Sequence, residues 1–228
     1  MNEISEDDYD FKVDRPASTL RHSVTESIRQ AIAVGRFGAG ARMPEKDLCE
    51  MTGVSRTLVR EALRQLESEG IVNVIAHKGP IVATISAEQA AGLYEVRAVL
   101  EGLAAELFAT KASDAHRKAL HTAFEAVHQA YDEGDVLTRL AAKNRFYDCL
   151  ILGSGNEALG ASLHMLNARA MILRGRSLQM PARSGESLKE IKHIIAALDA
   201  RDGPEARRLA VFHVQQAART VMLSYTLT

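Results

Sequence analysis

The sequence predicts a mainly α-helical protein in two parts, a small domain of three helices and a β-hairpin followed by an all-α bundle. Apolar residues recur at helical spacing over most of the 228-residue chain. Two short β-rich runs flank a Gly/Pro turn in the first third, and no comparable pair follows residue 86. A composition of 46% hydrophobic and 25% charged residues is that of a globular protein and excludes wholesale disorder.

Charge divides the chain into three segments. Residues 1–17 hold six acidic and two basic residues, which predicts an acidic flexible tail. Residues 18–86 hold nine basic and seven acidic residues and are predicted to form the first domain, and residues 87–228 are predicted to form the bundle. A net charge of −1 neither demands nor excludes a polyanionic partner.

Composition and the first residues also limit where the protein is expected to act. Two cysteines, Cys49 and Cys149, are too few for a disulfide framework and fit a reducing cytoplasm. No apolar run approaches the roughly 18 residues that a membrane span needs. The first residues are acidic, where a signal peptide would be basic and then apolar. The sequence therefore predicts a soluble, cytoplasmic protein with no membrane contact.

The helices of the first domain are predicted from apolar spacing and from their end signals. A first helix covers 18–34 and ends at Gly35. After a loop, a short helix covers 45–51, and a tight turn at 52–54 leads to a third helix over 55–69.

Caps and a hairpin complete the first domain. Ser55 is the candidate N-cap of the third helix, and Gly70 is its candidate C-cap. The β-rich runs 71–75 and 81–85 flank a turn at 76–80 and predict a hairpin. The order helix, helix, turn, helix, hairpin is that of a winged helix-turn-helix domain.

Six amphipathic helices are predicted after residue 86, which makes the second part an all-α bundle. The third closes at the GSGN sequence of 153–156, and the fourth covers about 157–179. A loop is predicted at 181–185, and the last helix is predicted to begin at Pro204.

One long motif connects the first domain to a known family. The stretch 41–70, ARMPEKDLCEMTGVSRTLVREALRQLESEG, resembles the GntR superfamily of bacterial transcription regulators. The family's run is Pro-Glu, a leucine-containing helix, then Gly-Val-Ser-Arg-Thr-x-Val-Arg-Glu-Ala-Leu-x-x-Leu-x-x-x-Gly, and nearly every position is present. The resemblance implies a sequence-specific DNA-binding regulator, with repression as the commoner mode and activation left open.

The second domain is similar to the FCD ligand-binding domain of the FadR-type subgroup. EVRAVLE at 95–101 and SGN at 154–156 match it, as does the spacing of Asp202, Ala206 and His213. The resemblance to the whole family covers about residues 20–220, and it implies that the bundle binds an effector and forms the dimer.

The resemblance also implies which residues contact DNA. The recognition helix of such a domain places its N-terminal residues at the base edges. Arg56 and Arg60 lie one turn apart, and an arginine paired with guanine contributes about 1–3 kcal/mol of discrimination. Hydroxyls suit phosphate oxygens, and the wing tip is expected against the minor groove or the backbone. The predicted DNA-binding residues are Lys46, Ser55, Arg56, Thr57, Arg60, His77, Lys78 and Gly79.

Many FCD domains hold a divalent metal on one aspartate and three histidines. Aligned through SGN and through the spacing near the C-terminus, those positions are here Lys143, Tyr147, Ile191 and His213. One imidazole cannot hold the usual ion, and a lysine ammonium would repel it. We therefore expect no metal cofactor, as in the FadR-like, acyl-CoA-responsive branch.

Two alternatives for this site stay open at the level of sequence. A site rebuilt from Asn144, His193 and His213 would make the protein a metal-dependent regulator that senses a small carboxylate. The expected site instead uses cationic and hydrogen-bonding groups inside an apolar bundle, which suits an organic acid or acyl thioester. Its predicted effector-binding residues are Arg97, Lys143, Tyr147 and His213. The competing interpretation places Arg97 and Lys143 on exposed faces and Tyr147 in the core.

One recognition helix reads only a few base pairs, so the sequence predicts a homodimer on a palindromic double-stranded operator. No enzyme is predicted, because GSGN follows a helix rather than a strand and does not fit a phosphate-binding loop. Neither cysteine has a histidine at a suggestive spacing. An all-α interaction module without DNA binding is the remaining class, and it would not need a hairpin with a basic tip.

Overall fold

A computed structural model describes residues 18–178 and 181–226 of the chain. Within these ranges the chain forms nine helices and one two-stranded antiparallel sheet. The expected fold class, a winged helix-turn-helix domain followed by an all-α bundle, is confirmed. The expected tail, 1–17, lies outside the described residues.

The first domain packs three helices against a short hairpin. Ile28, Leu48 and Leu66 are fully buried at its centre. Gly53 connects the second and third helices at φ +70°, a backbone conformation that favours glycine. The elements are α1 (Ser18–Ala33), α2 (Glu45–Thr52), α3 (Arg56–Ser68), β1 (Val72–Ile75) and β2 (Gly79–Val82).

The hairpin is tighter than the sequence indicated. The second strand was expected at 81–85, but β2 begins at Gly79, which pairs with Ile75. The reason is a closed turn, in which the Lys78 N–H donates to the Ile75 carbonyl at 3.0 Å. The turn therefore occupies three residues instead of five, and the wing is short.

The second domain is a bundle in which α4 and α9 lie along each other. Gly102 of α4 allows this close approach, because a Cβ there would lie 2.7 Å from the Val211 side chain. Phe108, Phe146 and Leu163 are buried in the bundle core. The helices are α4 (Ala87–Lys111), α5 (Asp114–Glu133), α6 (Val136–Gly153), α7 (Glu157–Leu178), α8 (Pro181–Asp199) and α9 (Gly203–Thr226).

One local expectation for the bundle is wrong. Residues 181–185 were expected to form a loop, but they are the first residues of α8, which begins at Pro181. Proline is favourable at the first helical position, since its missing N–H has no intrahelical partner there.

The two domains share a packed junction. Leu140 of α6 and Met171 of α7 are buried in the core of the first domain. A cleft of about 540 Å³ lies beside this contact, between α1 and α3 on one side and α6 and α7 on the other. We call it the interdomain cleft, and Arg29, Glu69 and Tyr147 are among the residues that line it.

No helix in the described part of the chain combines the length and apolar character that crossing a lipid bilayer requires.

Candidate functional site

The third helix separates an apolar face from a basic one. Its buried face carries Val59, Ala62, Leu63 and Leu66. Arg56 and Arg60 are exposed on the opposite side. Arg64 follows at the same helical spacing and is also exposed, a position that the sequence analysis did not include although the i, i+4, i+8 spacing indicates it.

The N-terminus of α3 is available for an anionic partner. Ser55 takes the expected N-cap position, but its side chain makes no capping hydrogen bond. The first N–H groups of the helix therefore have no side-chain partner at the cap, and such groups favour phosphate oxygens. Ser55 and Thr57 are both exposed beside them.

The two predicted base-reading arginines differ in their surroundings. Arg60 Nε donates to Glu45 Oε1 at 2.8 Å, which ties α3 to α2 and holds the guanidinium in place. Arg56 makes no hydrogen bond or ion pair with any residue the structure describes. Lys46 lies 3.7 Å from Glu50, and both side chains are largely exposed, so solvent screens this pair.

The wing tip is fixed from behind by an arginine that the sequence analysis missed. Arg42 donates from Nε and Nη2 to the Lys78 carbonyl, at 3.0 and 2.7 Å. His77 and Gly79 have φ values of +62° and +79°, and His77 and Lys78 are exposed at the tip. The side chain of Lys78 is therefore presented on a turn whose backbone is hydrogen-bonded to Arg42.

In the second domain, the structure brings together three of the four predicted effector residues, in two hydrogen-bonded groups. The Tyr147 hydroxyl lies 3.0 Å from His213 Nε2. Lys143, one turn before Tyr147 on α6, donates from Nζ to Ser187 Oγ at 2.8 Å. Tyr147 is buried and Lys143 is half-buried. The interpretation that placed Lys143 on an exposed face is therefore wrong.

Two further residues, both on α8, extend the group that contains Tyr147 and His213. His213 Nδ1 lies 2.6 Å from Glu190 Oε2. Glu190 also accepts from Arg183 Nη1 and Nη2 at 2.9 and 2.7 Å. No sequence motif marked Arg183 or Glu190, because they lie far along the chain from Tyr147. We refer to these residues as the buried polar network: Lys143, Tyr147, Arg183, Ser187, Glu190 and His213.

The partners of His213 assign its tautomer. A carboxylate only accepts hydrogen bonds, so Nδ1 carries the proton and its N–H donates a hydrogen bond to Glu190. In the neutral imidazole, Nε2 then accepts a hydrogen bond from the Tyr147 hydroxyl. Burial, with help from the charges of Lys143 and Arg183, lowers the pKa of His213 to about 4, although Glu190 opposes the shift.

The carboxylate of Glu190 stays ionised beside this imidazole. Burial alone would raise the pKa of Glu190, but hydrogen bonds from His213 and Arg183 outweigh it, and the net shift is downward. The network therefore contains a charged carboxylate next to a neutral histidine at pH 7.

The fourth predicted residue, Arg97, is buried on α4 and only 2% exposed. Its Nε and Nη2 donate to Glu101 Oε1 at 3.0 and 2.5 Å. Burial alone would lower the pKa of Arg97, but the charge of Glu101, with smaller contributions from Tyr94 and Tyr147, raises it. The interpretation of Arg97 as an exposed residue is therefore wrong.

Tyr94 is a second residue that the sequence analysis missed. Its ring lies under the Arg97 guanidinium, 4.9 Å from ring centroid to Cζ. Its hydroxyl is buried and has no hydrogen-bond partner among the residues that the structure describes. A buried polar atom left in this state is a candidate contact for a ligand.

The four positions that hold a metal in many FCD domains do not fit one here. Ile191 is fully buried in the apolar core, the Lys143 ammonium bonds Ser187, and His213 Nε2 accepts from Tyr147. In the described ranges, no three His, Cys, Asp or Glu side chains are grouped so that they could bind a metal. In the alternative set, Asn144 and His193 line different cavities, the interdomain cleft and a groove between α8 and α9.

Comparison with known proteins gives two family matches. Residues 20–82 match the model of the bacterial regulatory proteins of the gntR family. Residues 92–216 match the FCD domain.

Curated relatives extend over most of the chain. One is an uncharacterised HTH-type transcriptional regulator, YdhC of Bacillus subtilis, 26% identical and covering 90% of this chain and 91% of its own. Another is a probable D-xylose utilization operon transcriptional repressor of Paenarthrobacter nicotinovorans, 28% identical over 86% of each chain. Among solved structures, E. coli McbR/YncC has a TM-score of 0.81 at 24% identity, covering 91% of this chain and 99% of its own.

Acid is expected to destabilise the protein through His213. The unfolded chain protonates this histidine near pH 6.5, but the folded protein keeps it neutral down to about pH 4. Its contribution is therefore complete above pH 6.5 and is lost as pH falls toward 4, by at most about 2 kcal/mol between pH 6.5 and 5. Urea unfolding of the wild type and of His213→Gln at pH 7, 6 and 5 measures this contribution.

His213→Gln should lower the free energy of unfolding at pH 7 but flatten its pH dependence. The matched control is His121→Gln, because His121 is exposed and pairs with Asp199 at the surface. An equal loss of stability with pH in the wild type and in His213→Gln would show that His213 is not responsible.

Proposed function

We propose that this chain, which belongs to the GntR family of bacterial regulatory proteins and carries an FCD domain, is a cytoplasmic homodimer whose operator affinity is set by a small anionic organic effector. Family membership makes it a DNA-binding transcription regulator and not an enzyme. The effector site, the homodimer and the control of operator affinity are proposals beyond family membership.

The exposed basic face of α3 is the observation that supports assigning DNA contacts to particular residues. Arg56 is without a partner in the described structure, so it can form a paired hydrogen bond with a guanine without first breaking a protein contact. Arg60 keeps one bond to Glu45 and retains further N–H groups for DNA. Lys78, on the fixed wing, is suited to a phosphate.

A homodimer on a palindromic operator follows from the small footprint of one recognition helix. The bundle offers apolar surface for such a contact, since α4 exposes Val96 and Val99, which lie one turn apart. Repression is the mode we propose, and the repressor name of the relative from Paenarthrobacter nicotinovorans supports it.

An anionic effector suits the cations that the bundle buries. Arg97 is buried and Lys143 is half-buried. The Tyr94 ring lies under the Arg97 guanidinium, and its hydroxyl has no hydrogen-bond partner among the described residues. Cations and hydroxyls inside an apolar bundle recognise carboxylate or phosphate groups strongly. We propose that binding proceeds without a metal ion, because the residues at the family's metal positions are poor ligands.

Tyr147 is suited to transmit effector binding to the DNA-binding domain. Its hydroxyl bonds His213 inside the bundle, and the residue also lines the interdomain cleft. Arg29 of α1 and Glu69, the C-cap of α3, form an ion pair and line the same cleft. An effector that breaks the bond from Tyr147 to His213 would therefore shift α6 relative to α1 and α3, which form the opposite wall of the cleft. The effector must bind the two arrangements with different affinity to have this effect.

Arg56→Ala should reduce sequence discrimination. We expect the preference for a sequence selected from a random library over random DNA to fall about 10- to 100-fold, which corresponds to about 1–3 kcal/mol. Lys78→Ala should instead weaken both complexes by a similar factor and reduce the salt dependence by about one charge. Fluorescence anisotropy titrations on both DNAs at several salt concentrations measure these changes.

The matched control for these variants is Lys118→Ala, which removes an exposed cation from α5 in the other domain and should leave both affinities unchanged. A uniform loss of affinity in Arg56→Ala would contradict its role in reading bases.

Tyr147→Phe should uncouple effector binding from DNA binding. A thermal-shift panel of organic carboxylates on the wild type first identifies the compound that stabilises the protein most. In Tyr147→Phe we expect that compound still to bind, but its effect on operator affinity should fall to about twofold or less, because the bond to His213 is gone. Calorimetry gives the ligand affinity, and anisotropy with and without ligand gives the coupling.

Arg97→Ala serves as the complementary variant, and it should weaken ligand binding itself, because Arg97 is one of the cations that the bundle buries. If Tyr147→Phe retains the full wild-type effect of the ligand on operator affinity, Tyr147 is not the link between the domains.

A further inference from the structure

We infer that Arg183 and His213 form a carboxylate-binding subsite, occupied in this structure by the protein's own Glu190, and that an organic monocarboxylate with an apolar body binds by replacing Glu190 there. The inference rests on the proposed effector function, and it names the chemical class of the effector and the residue that competes with it.

Three hydrogen bonds converge on the Glu190 carboxylate from two helices. Arg183 of α8 donates two parallel bonds, at 2.9 Å to Oε1 and 2.7 Å to Oε2. His213 of α9 donates a third from Nδ1 to Oε2 at 2.6 Å. A forked arginine with one further donor is a common arrangement for binding the carboxylate of a ligand.

Because the donors are already buried, replacing one carboxylate by another costs less desolvation than binding a carboxylate to solvated donors. The side chains of Arg183 and Glu190 are each 12% exposed, and that of His213 is 3% exposed. The donors are therefore already largely desolvated, and an incoming carboxylate restores the same charge and the same three bonds. Removing Glu190 without a replacement would leave the buried Arg183 unpaired, which is costly.

A groove between α8 and α9 provides the route for this exchange. Glu190 and Arg183 line this groove, which has a volume of about 590 Å³. Phe212 and Leu223 line it as well and are 45% and 59% exposed. A displaced Glu190 can reach water along the groove, while the apolar body of the ligand covers Phe212 and Leu223.

The exchange would also affect Tyr147, the residue proposed to couple the two domains. His213 bonds Glu190 through one nitrogen and Tyr147 through the other. A ligand carboxylate that repositions the imidazole therefore alters the bond to Tyr147 directly. The subsite consequently links ligand chemistry to the interdomain cleft through a single side chain.

Chemical rescue of Glu190→Ala tests the subsite without DNA. The variant should melt at a lower temperature than the wild type, and sodium acetate at constant ionic strength and pH 7 should raise its melting temperature by several degrees. Sodium hexanoate should produce the same rise at a concentration at least tenfold lower, because its chain covers Phe212 and Leu223.

The matched control is Glu186→Ala, which removes an exposed carboxylate one turn earlier on α8. Equal shifts in Glu190→Ala, Glu186→Ala and the wild type would overturn the inference, as would an equal effect of hexanol.

Glu190→Gln provides a second test that does not depend on the folding of the alanine variant. It preserves the shape of the side chain but removes the competing charge, so hexanoate should bind it at least tenfold more tightly than it binds the wild type, as measured by calorimetry. Equal or weaker binding would overturn the inference.

The rescue and the regulatory function can fail separately. Rescue by hexanoate with no effect of any carboxylate on operator affinity would support the subsite and contradict the proposed effector control. Failed rescue, with another carboxylate releasing the operator, would contradict the subsite and leave the proposed function intact.

Discussion

The buried imidazole of His213 needs a partner for each of its nitrogens, and this requirement positions three helices of the bundle. An unsatisfied buried polar group costs about 1–3 kcal/mol. Glu190 of α8 and Tyr147 of α6 supply the two partners of a residue on α9. Glu190 is in turn paired with Arg183, whose charge offsets part of the cost of burying the carboxylate. The helices are therefore held together at their centre by a chain of obligatory polar contacts, surrounded by an apolar core.

The same chain of contacts connects the chemistry of the bundle to the DNA-binding domain. Tyr147 belongs to both the buried polar network and the wall of the interdomain cleft, where it lies across from α1 and α3. The domains are packed together through Leu140 and Met171, so a shift of α6 or α7 cannot leave the first domain undisturbed. A packed junction of this kind changes between discrete arrangements more readily than it deforms, which suits the proposed switch between two DNA affinities.

The sequence predicted those parts of the molecule that local patterns encode. Apolar spacing placed α3 and its exposed arginines, and the β-rich runs around a Gly/Pro turn placed the wing, because these signals lie within a few residues of each other. Local patterns did not encode the limits of β2, which depend on the bond from the Lys78 N–H to Ile75. They also did not reveal Glu190 as the partner of His213, since this pairing depends on how α8 packs against α9. Arg97 illustrates the same limit: its place on α4 was predicted, but its pairing with Glu101 inside the bundle was not.

We propose that this FCD domain binds its effector through the buried polar network and without a metal ion. A native mass spectrum of the protein as purified, recorded without added ligand or chelator, tests this claim most directly. We expect the mass of a dimer, either bare or with an organic adduct whose mass narrows the effector class. A dimer that carries one zinc- or nickel-sized increment per subunit, removable by a chelator, would contradict the claim and would direct attention to carboxylates bound through a metal.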